Sequence, residues 1–240
     1  MIVYQLFCIH EYFIIKINLV SIKFLEMPGK LTYFGIGGRA EPIRALLHFA
    51  NHEFEDNRVS QDDFATLKAS LPLGSLPVWE EDGVTYAQST AILRMLGIRF
   101  GMYSTEANIC WNIDSLIDFM EENFNDMLTY CMKPLLGAPV EDADKQKYEG
   151  YFEKMIPFLN ARCESHDKKW IAGTDHFTIA DLKVYQGMLM SLEIESNPAP
   201  ADVKEAIREK IAQHPKLQHY LSELTAHMQP WLAARVPTPV

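Results

Sequence analysis

The chain has 240 residues, enough for one large domain or two small ones with a real core. Its hydrophobic and charged fractions, 48% and 22%, are those of an ordinary folded protein. A formal net charge of -10 argues against nucleic acid as a partner, because phosphates demand a surplus of Lys and Arg.

The first 26 residues are rich in Ile, Phe and Tyr but are interrupted by His10, Glu11, Lys16 and Lys23. They lack a basic start and a small-residue cleavage site, so they read as a dispensable extension ahead of Met27 rather than as a signal or anchor. No run reaches the ~18 apolar residues of a membrane span, and no membrane partner is expected.

Residues 30–103 alternate strand and helix signals. Leu31–Phe34 suits a strand, and Glu41–Asn51 carries the helical spacing of Ile43, Leu46 and Leu47. Phe54–Val59 reads as a second strand and Gln61–Ser70 as a short polar helix. Val78–Glu80 and Val84–Tyr86 flank Asp82-Gly83, a hairpin signature, and Ser89–Phe100 closes as a helix. The order is βαβαββα, with a parallel pair from the first crossover and an antiparallel edge from the hairpin.

Residues 104–240 carry no convincing strand. One apolar stripe runs through Ile113, Leu116, Ile117, Met120, Phe124, Met127, Leu128 and Cys131. A second runs through Ile179, Leu182, Tyr185, Leu189 and Leu192, behind a capping box at Thr178 and Asp181. A third runs through Leu217, Tyr220, Leu221, Leu224, Met228 and Trp231, while Pro134, Gly137, Pro139 and Asn197–Pro200 punctuate the bundle. The fold class is therefore α/β followed by all-α.

Chemistry concentrates where strands of the first half turn into helices. Tyr33 ends a strand beside Gly35, Gly37 and Gly38, and Arg39 with Pro42 opens a helix whose N-terminus favours an anion near the phenol. Pro77 precedes the hairpin; a cis bond there would present the backbone of Leu76 to a peptide-like ligand. Gln88 and Ser89 stand where a strand meets a helix N-terminus, a place for a carboxylate, with Ser89 as a natural N-cap. Lys68, one turn after Phe64, offers a second cation. Asp114, Asp118, Glu121 and Glu122 edge the first apolar stripe, as a solvated face or as partners for an ammonium group. The four cysteines are scattered and form neither a disulfide framework nor a zinc pattern; His48 and His52 lack the glutamate of a zinc-protease motif.

Three segments together resemble one family: LTYFGIGGRAEPIR (31–44), LPLGSLPV (71–78) with the following Asp-Gly and QSTAI, and WIAGTDHFTIAD (170–181). From about Met27 to Pro237 the chain resembles the cytosolic glutathione transferases, most closely the sigma class, which includes the glutathione-dependent prostaglandin D synthases. The resemblance implies a thioredoxin-like domain over 27–103 and an all-helical domain over 104–240, a cytoplasmic homodimer, glutathione as co-substrate and no metal. Position by position, it makes Tyr33 the donor to the glutathione sulfur and Arg39 its support. Leu76, ahead of cis Pro77, would pair with the cysteinyl part; Gln88 and Ser89 would hold the γ-glutamyl group, and Phe64 and Lys68 the glycyl end. Glu122 would reach the partner subunit's glutathione, and Asp181 would be structural. Phe64 replaces a usual tryptophan, Ser75 a common lysine, and Thr129 falls near a tryptophan of the prostaglandin synthases. The activity implied is attack of a glutathione thiolate on a hydrophobic electrophile, with Met127, Tyr130 and Cys131 as candidates to line the second substrate. The alternatives are a prostaglandin D synthase-type isomerase and a non-catalytic ligandin- or crystallin-like binding protein.

Overall fold

The computed structural model describes residues 28–193, 197 and 199–238. The expected extension, residues 1–26, lies outside them. The strands are β1 (Lys30–Phe34), β2 (Glu55–Val59), β3 (Val78–Glu81) and β4 (Val84–Ala87), in the sheet order β2-β1-β3-β4. β1 and β2 are parallel, joined through α1 (Glu41–Phe49), while β3 pairs antiparallel with both β1 and β4. Asp82 and Gly83 both take positive φ, 51° and 76°, the pairing a two-residue hairpin turn demands. α2 (Gln61–Leu67) follows β2 and α3 (Ser89–Arg99) follows β4, as the alternation of signals implied.

α1 buries Ile43, Leu46 and Leu47 completely, and with them Arg44, only 1% exposed. A guanidinium survives there because every side of it is engaged. Its Nε donates to Asp56 Oδ1 (3.0 Å), and its two Nη groups to the carbonyls of Ile36 (2.7 Å) and Phe34 (3.4 Å). Arg44 thus ties down the chain just after Tyr33.

The helical part comprises α4 (Ala107–Leu135), α5 (Asp142–Glu164), a segment running from α6 (Ile179–Val184) through a π-helical turn at Tyr185–Leu189 into α7 (Met190–Glu193), then α8 (Ala201–Ala212) and α9 (Pro215–Ala234). The α4 stripe is buried as expected, apart from a partly exposed Leu128. Pro134 does not stop α4 but sits in its last turn, which closes with Leu136 N–H on Met132 O at 3.0 Å. The π turn accommodates Gly187, where a Cβ would collide with Tyr151 Oη and Met120 Cε, so a larger residue would force those side chains of α4 and α5 to shift. Asp181, fully buried, accepts from the Thr178 N–H and hydroxyl (both 2.9 Å), from Ile171 N–H (3.1 Å) and from Tyr220 (2.9 Å). Burial pushes its carboxyl above the ordinary value despite those donors.

The two halves join at Glu41, 1% exposed at the start of α1. Its Oε1 accepts from Trp231 Nε1 (3.0 Å) and the Tyr185 hydroxyl (3.2 Å). Arg235 Nε lies 2.8 Å from the same oxygen but is not aligned as a hydrogen-bond donor, so their attraction is Coulombic.

Candidate active site at one end of the sheet

Register alone gathers most of the expected residues. Thr32, Val78 and Ala87 stand side by side across β1, β3 and β4. One residue further along each strand, towards the same end, come Tyr33, Pro77 and Gln88. β2 ends at that edge too, with Arg58 beside Tyr33, and feeds α2 through Ser60.

Tyr33 is 4% exposed, and its hydroxyl accepts the backbone N–H of Arg39 at 3.2 Å. That bond uses an oxygen lone pair and leaves the phenolic proton for an outside acceptor. Burial pushes the phenol's pKa up, against the pull of the Arg39 N–H and the charges of Arg39 and Arg44. At neutral pH Tyr33 is thus a hydrogen-bond donor, not a base. Gly38 makes the approach possible: its φ is +44°, and a Cβ would stand 2.7 Å from the Tyr33 oxygen.

The Arg39 side chain does not float free beside the phenol. It donates to Glu121 and, at 3.0 Å, to Asn125 Oδ1, both on α4. Glu121 is shared with Lys183 of α6, an ammonium only 3% exposed. Lys183 also donates to Gln186 Oε1, and Gln186 Nε2 donates to the carbonyl of Gly38 at 2.6 Å. The Phe124 ring packs against both cations, 5.1 Å from Arg39 Cζ and 5.2 Å from Lys183 Nζ. Burial alone would raise the Glu121 carboxyl; Lys183 and Arg39 outweigh it and hold it below the usual range. Burial in turn lowers the Lys183 ammonium, with Glu121 opposing.

The Leu76–Pro77 bond is cis. The ladder starts at Val78, and among the described residues the N–H and C=O of Leu76 have no backbone partner. Ser89 is not the N-cap. Gln88 is, with φ 72° and ψ 105°, a conformation rare outside glycine, and Ser89 is the first helical residue. Gln88 O accepts from Ile92 N–H at 2.9 Å, while neither the Gln88 amide nor the Ser89 hydroxyl caps the helix. Strained backbone of this kind gathers at ligand sites. A line of aromatic contacts links Tyr33 to Phe34 (centroids 5.4 Å), Phe34 to Phe64 (5.3 Å) and Phe64 to the exposed Lys68, whose Nζ is 5.9 Å from the ring.

Two expectations change. The acidic edge of α4 is not a uniformly solvated face: Asp114 and Asp118 both bind Arg94 (2.6 and 2.5 Å), and Glu121 is half-buried in the cluster at Arg39. Glu122 is exposed and makes no ion pair among the described residues. Met127, Tyr130 and Cys131 do not face the site but lie in the core, with Tyr130 packed on Tyr148 of α5 at 4.6 Å. Arg44, Asn125, Lys183 and Gln186 were not foreseen in the site's framework, nor was the pairing of Glu121 with Arg39; the one signal in the sequence was a lone Lys and a lone Arg inside apolar helical stripes.

A cavity of about 700 Å³ lies elsewhere, between α5 and α9, with Cys163 and Trp170 in its wall. Its lysines are spoken for: Lys168 by Asp175, Lys169 by Glu223 and Lys216 by Asp167. Burial pushes the Cys163 thiol up to about 12, which disfavours the thiolate a nucleophile needs.

A four-stranded thioredoxin-like sheet with a cis proline at its site, carrying a helical domain, defines the class of protein. Residues 29–97 match the model of the glutathione S-transferase N-terminal domain, and residues 125–223 that of its C-terminal domain. Glutathione S-transferase 1 of Ascaris suum is 31% identical over 221 residues, covering 88% of this chain and 98% of that protein. Human hematopoietic prostaglandin D synthase is 38% identical over 144 residues, 53% of this chain and 69% of that protein. The crystal structure of the glutathione S-transferase from Ascaris lumbricoides superposes with a TM-score of 0.73 at 27% identity, over 89% of this chain and all of that one. The chain belongs to the glutathione S-transferase family.

Proposed function

We propose that this protein binds glutathione at the end of the sheet and holds its sulfur as a thiolate for attack on hydrophobic electrophiles. The observation that carries this reading is the Tyr33 hydroxyl, which accepts from Arg39 N–H and so has its own proton to give. A free thiol, pKa about 8.5, is mostly protonated at neutral pH, and each unit of lowering requires about 1.4 kcal/mol of preference for the anion. The Tyr33 donor, the Arg39 charge and the nearby helix start together supply one to two such units, roughly. The thiolate then attacks, and the leaving group departs with the electron pair.

The remaining parts of glutathione follow the sheet edge. Leu76 offers its unpaired backbone to the cysteinyl unit beside cis Pro77, and the open N-terminus of α3 with Gln88 and Ser89 suits the γ-glutamyl carboxylate. Lys68, set against Phe64, suits the glycyl carboxylate; Phe64 contributes packing and no hydrogen bond. Glu122 points into solvent, where a partner subunit's ammonium group can meet it in a homodimer. We assign 27–103 and 104–240 as the two domains, place the chain in a sigma-like group on the resemblance of its motifs, and locate it in the cytoplasm. No described helix is long and apolar enough to cross a membrane.

Tyr33→Phe tests the assignment. Conjugation of a model aryl halide should fall by an order of magnitude or more at neutral pH while glutathione-affinity capture persists; undiminished conjugation refutes it. Prostaglandin isomerisation is the second reading, favoured by the 38% identity to the human synthase. Product analysis separates the two, and capture without turnover points to a carrier.

A further inference from the structure

We infer that Lys183, enclosed in the helical domain, is a positioning residue for this site: by sharing Glu121 with Arg39 it keeps the arginine's charge from being cancelled, so that Arg39 can hold the sulfur as a thiolate at neutral pH. The inference rests on the transferase reading above. A lysine 3% exposed is expensive to bury, and a methionine would fill the same volume beside Phe124 without desolvating a charge. What the ammonium adds is charge balance. Arg39 and Glu121 alone form a neutral pair, and at the Tyr33 hydroxyl the pull of Arg39 is opposed by Glu121. With Lys183 the cluster is net positive by one, and the Arg39 charge acts on the phenol through space while its backbone N–H makes the bond.

Lys183 acts on geometry by the same route. It fixes Gln186, which holds the Gly38 carbonyl, and Gly38 precedes the N–H that orients Tyr33. The other charges around the cluster have partners of their own. Arg94 on α3 binds both Asp114 and Asp118, a group net negative by one, and Arg44, facing the Tyr33 ring, shares Asp56 with Arg58, a group net positive by one that offsets it. From α5 the Tyr151 phenol faces Glu121, and burial pushes its pKa far up, so it stays neutral. Glu121 is thus the carboxylate of α4 bonded to Arg39, and Lys183 sets its charge balance.

The test is the pH profile of kcat/KM for conjugation of an aryl halide, together with titration of the bound glutathione thiolate by its ultraviolet absorbance. Lys183→Met leaves Glu121 paired with Arg39, so no carboxylate is stranded. It should move the rising limb up by about 0.5–1 pH unit. The rate then drops about 3–10-fold on that limb and matches wild type once the thiol is fully ionised. The double variant Glu121→Gln/Lys183→Met restores the net charge, so its limb should return to the wild-type position or below. A uniform loss at every pH, an unmoved limb, or a double variant that keeps the upward shift overturns the inference. Should Lys183→Met not fold, the double variant decides alone, since a limb above wild type refutes the charge argument. Should wild type bind glutathione without conjugating, the transferase reading fails, and the thiolate titration still decides the role of Lys183.

Discussion

Glu41→Gln removes one charge from the junction of the two halves and almost no volume. Arg235, whose side chain is 7% exposed against 2% for Glu41, then keeps a buried guanidinium with no carboxylate opposite it. Breaking one side of a buried pair costs about 3–5 kcal/mol. The Trp231 and Tyr185 donors still find an amide oxygen, so their loss adds little. Against a total stability of about 5–15 kcal/mol this is a large fraction. With a urea slope of about 3 kcal/mol per molar, the midpoint should fall by about 1–1.7 M. The assay is urea unfolding followed by Trp fluorescence at equal protein concentration, so that any association is held constant. Glu41→Gln/Arg235→Met should recover most of the loss, because both charges leave together. A midpoint shift below about 0.3 M in the single variant, or a double variant worse than the single, refutes the argument that this pair holds the halves together.

Gly38→Ala places a methyl group 2.7 Å from the Tyr33 oxygen at a φ of +44°, so conjugation should fall at least ten-fold with less effect on folding; steady-state kinetics beside a thermal melt checks it. Ser89→Ala should raise the KM for glutathione roughly ten-fold or more, the worth of a hydrogen bond to a charged group, and leave kcat nearly unchanged. Stability has an acid dependence at Glu121, whose native pKa lies below its ordinary 4.5. A lowered carboxylate stabilises the fold above its unfolded pKa and stops doing so as pH falls through the native value. The stability gap between wild type and Glu121→Gln should therefore be full above 4.5 and close in acid, as read by denaturant titration at several pH values.

The strand and helix order of the first half was legible because periodicity and the Asp82-Gly83 turn both act locally. α5 was harder to see: its charge-rich sequence with Pro157 in the middle blurs the stripe of Tyr148, Phe152, Met155 and Leu159 that the structure buries. Tyr33, Pro77 and Gln88 could be read as a group because each sits at a strand-to-turn junction, and register places such junctions at one end of a sheet. The positive φ of Gln88 could not, since nothing in its neighbours requires it. The linkage of Glu121 and Lys183 to Arg39 stayed hidden for a different reason. They lie 82 and 144 residues from Arg39, and only packing of α4 and α6 against the turn at Gly38 makes them neighbours. A lysine within ADLKVYQGML carries no mark in sequence of whether it reaches solvent.

The bond that aims Tyr33 comes from the main chain of Arg39, not from its guanidinium. Any residue except proline would supply that N–H. Aim is therefore encoded in the path of the chain, and field strength in the side chain at the same position. A lineage can exchange the side chain and retune the acidity of the bound sulfur without redirecting the phenol. One position thus serves as two independent controls, which leaves room for new electrophiles to be explored without rebuilding the site.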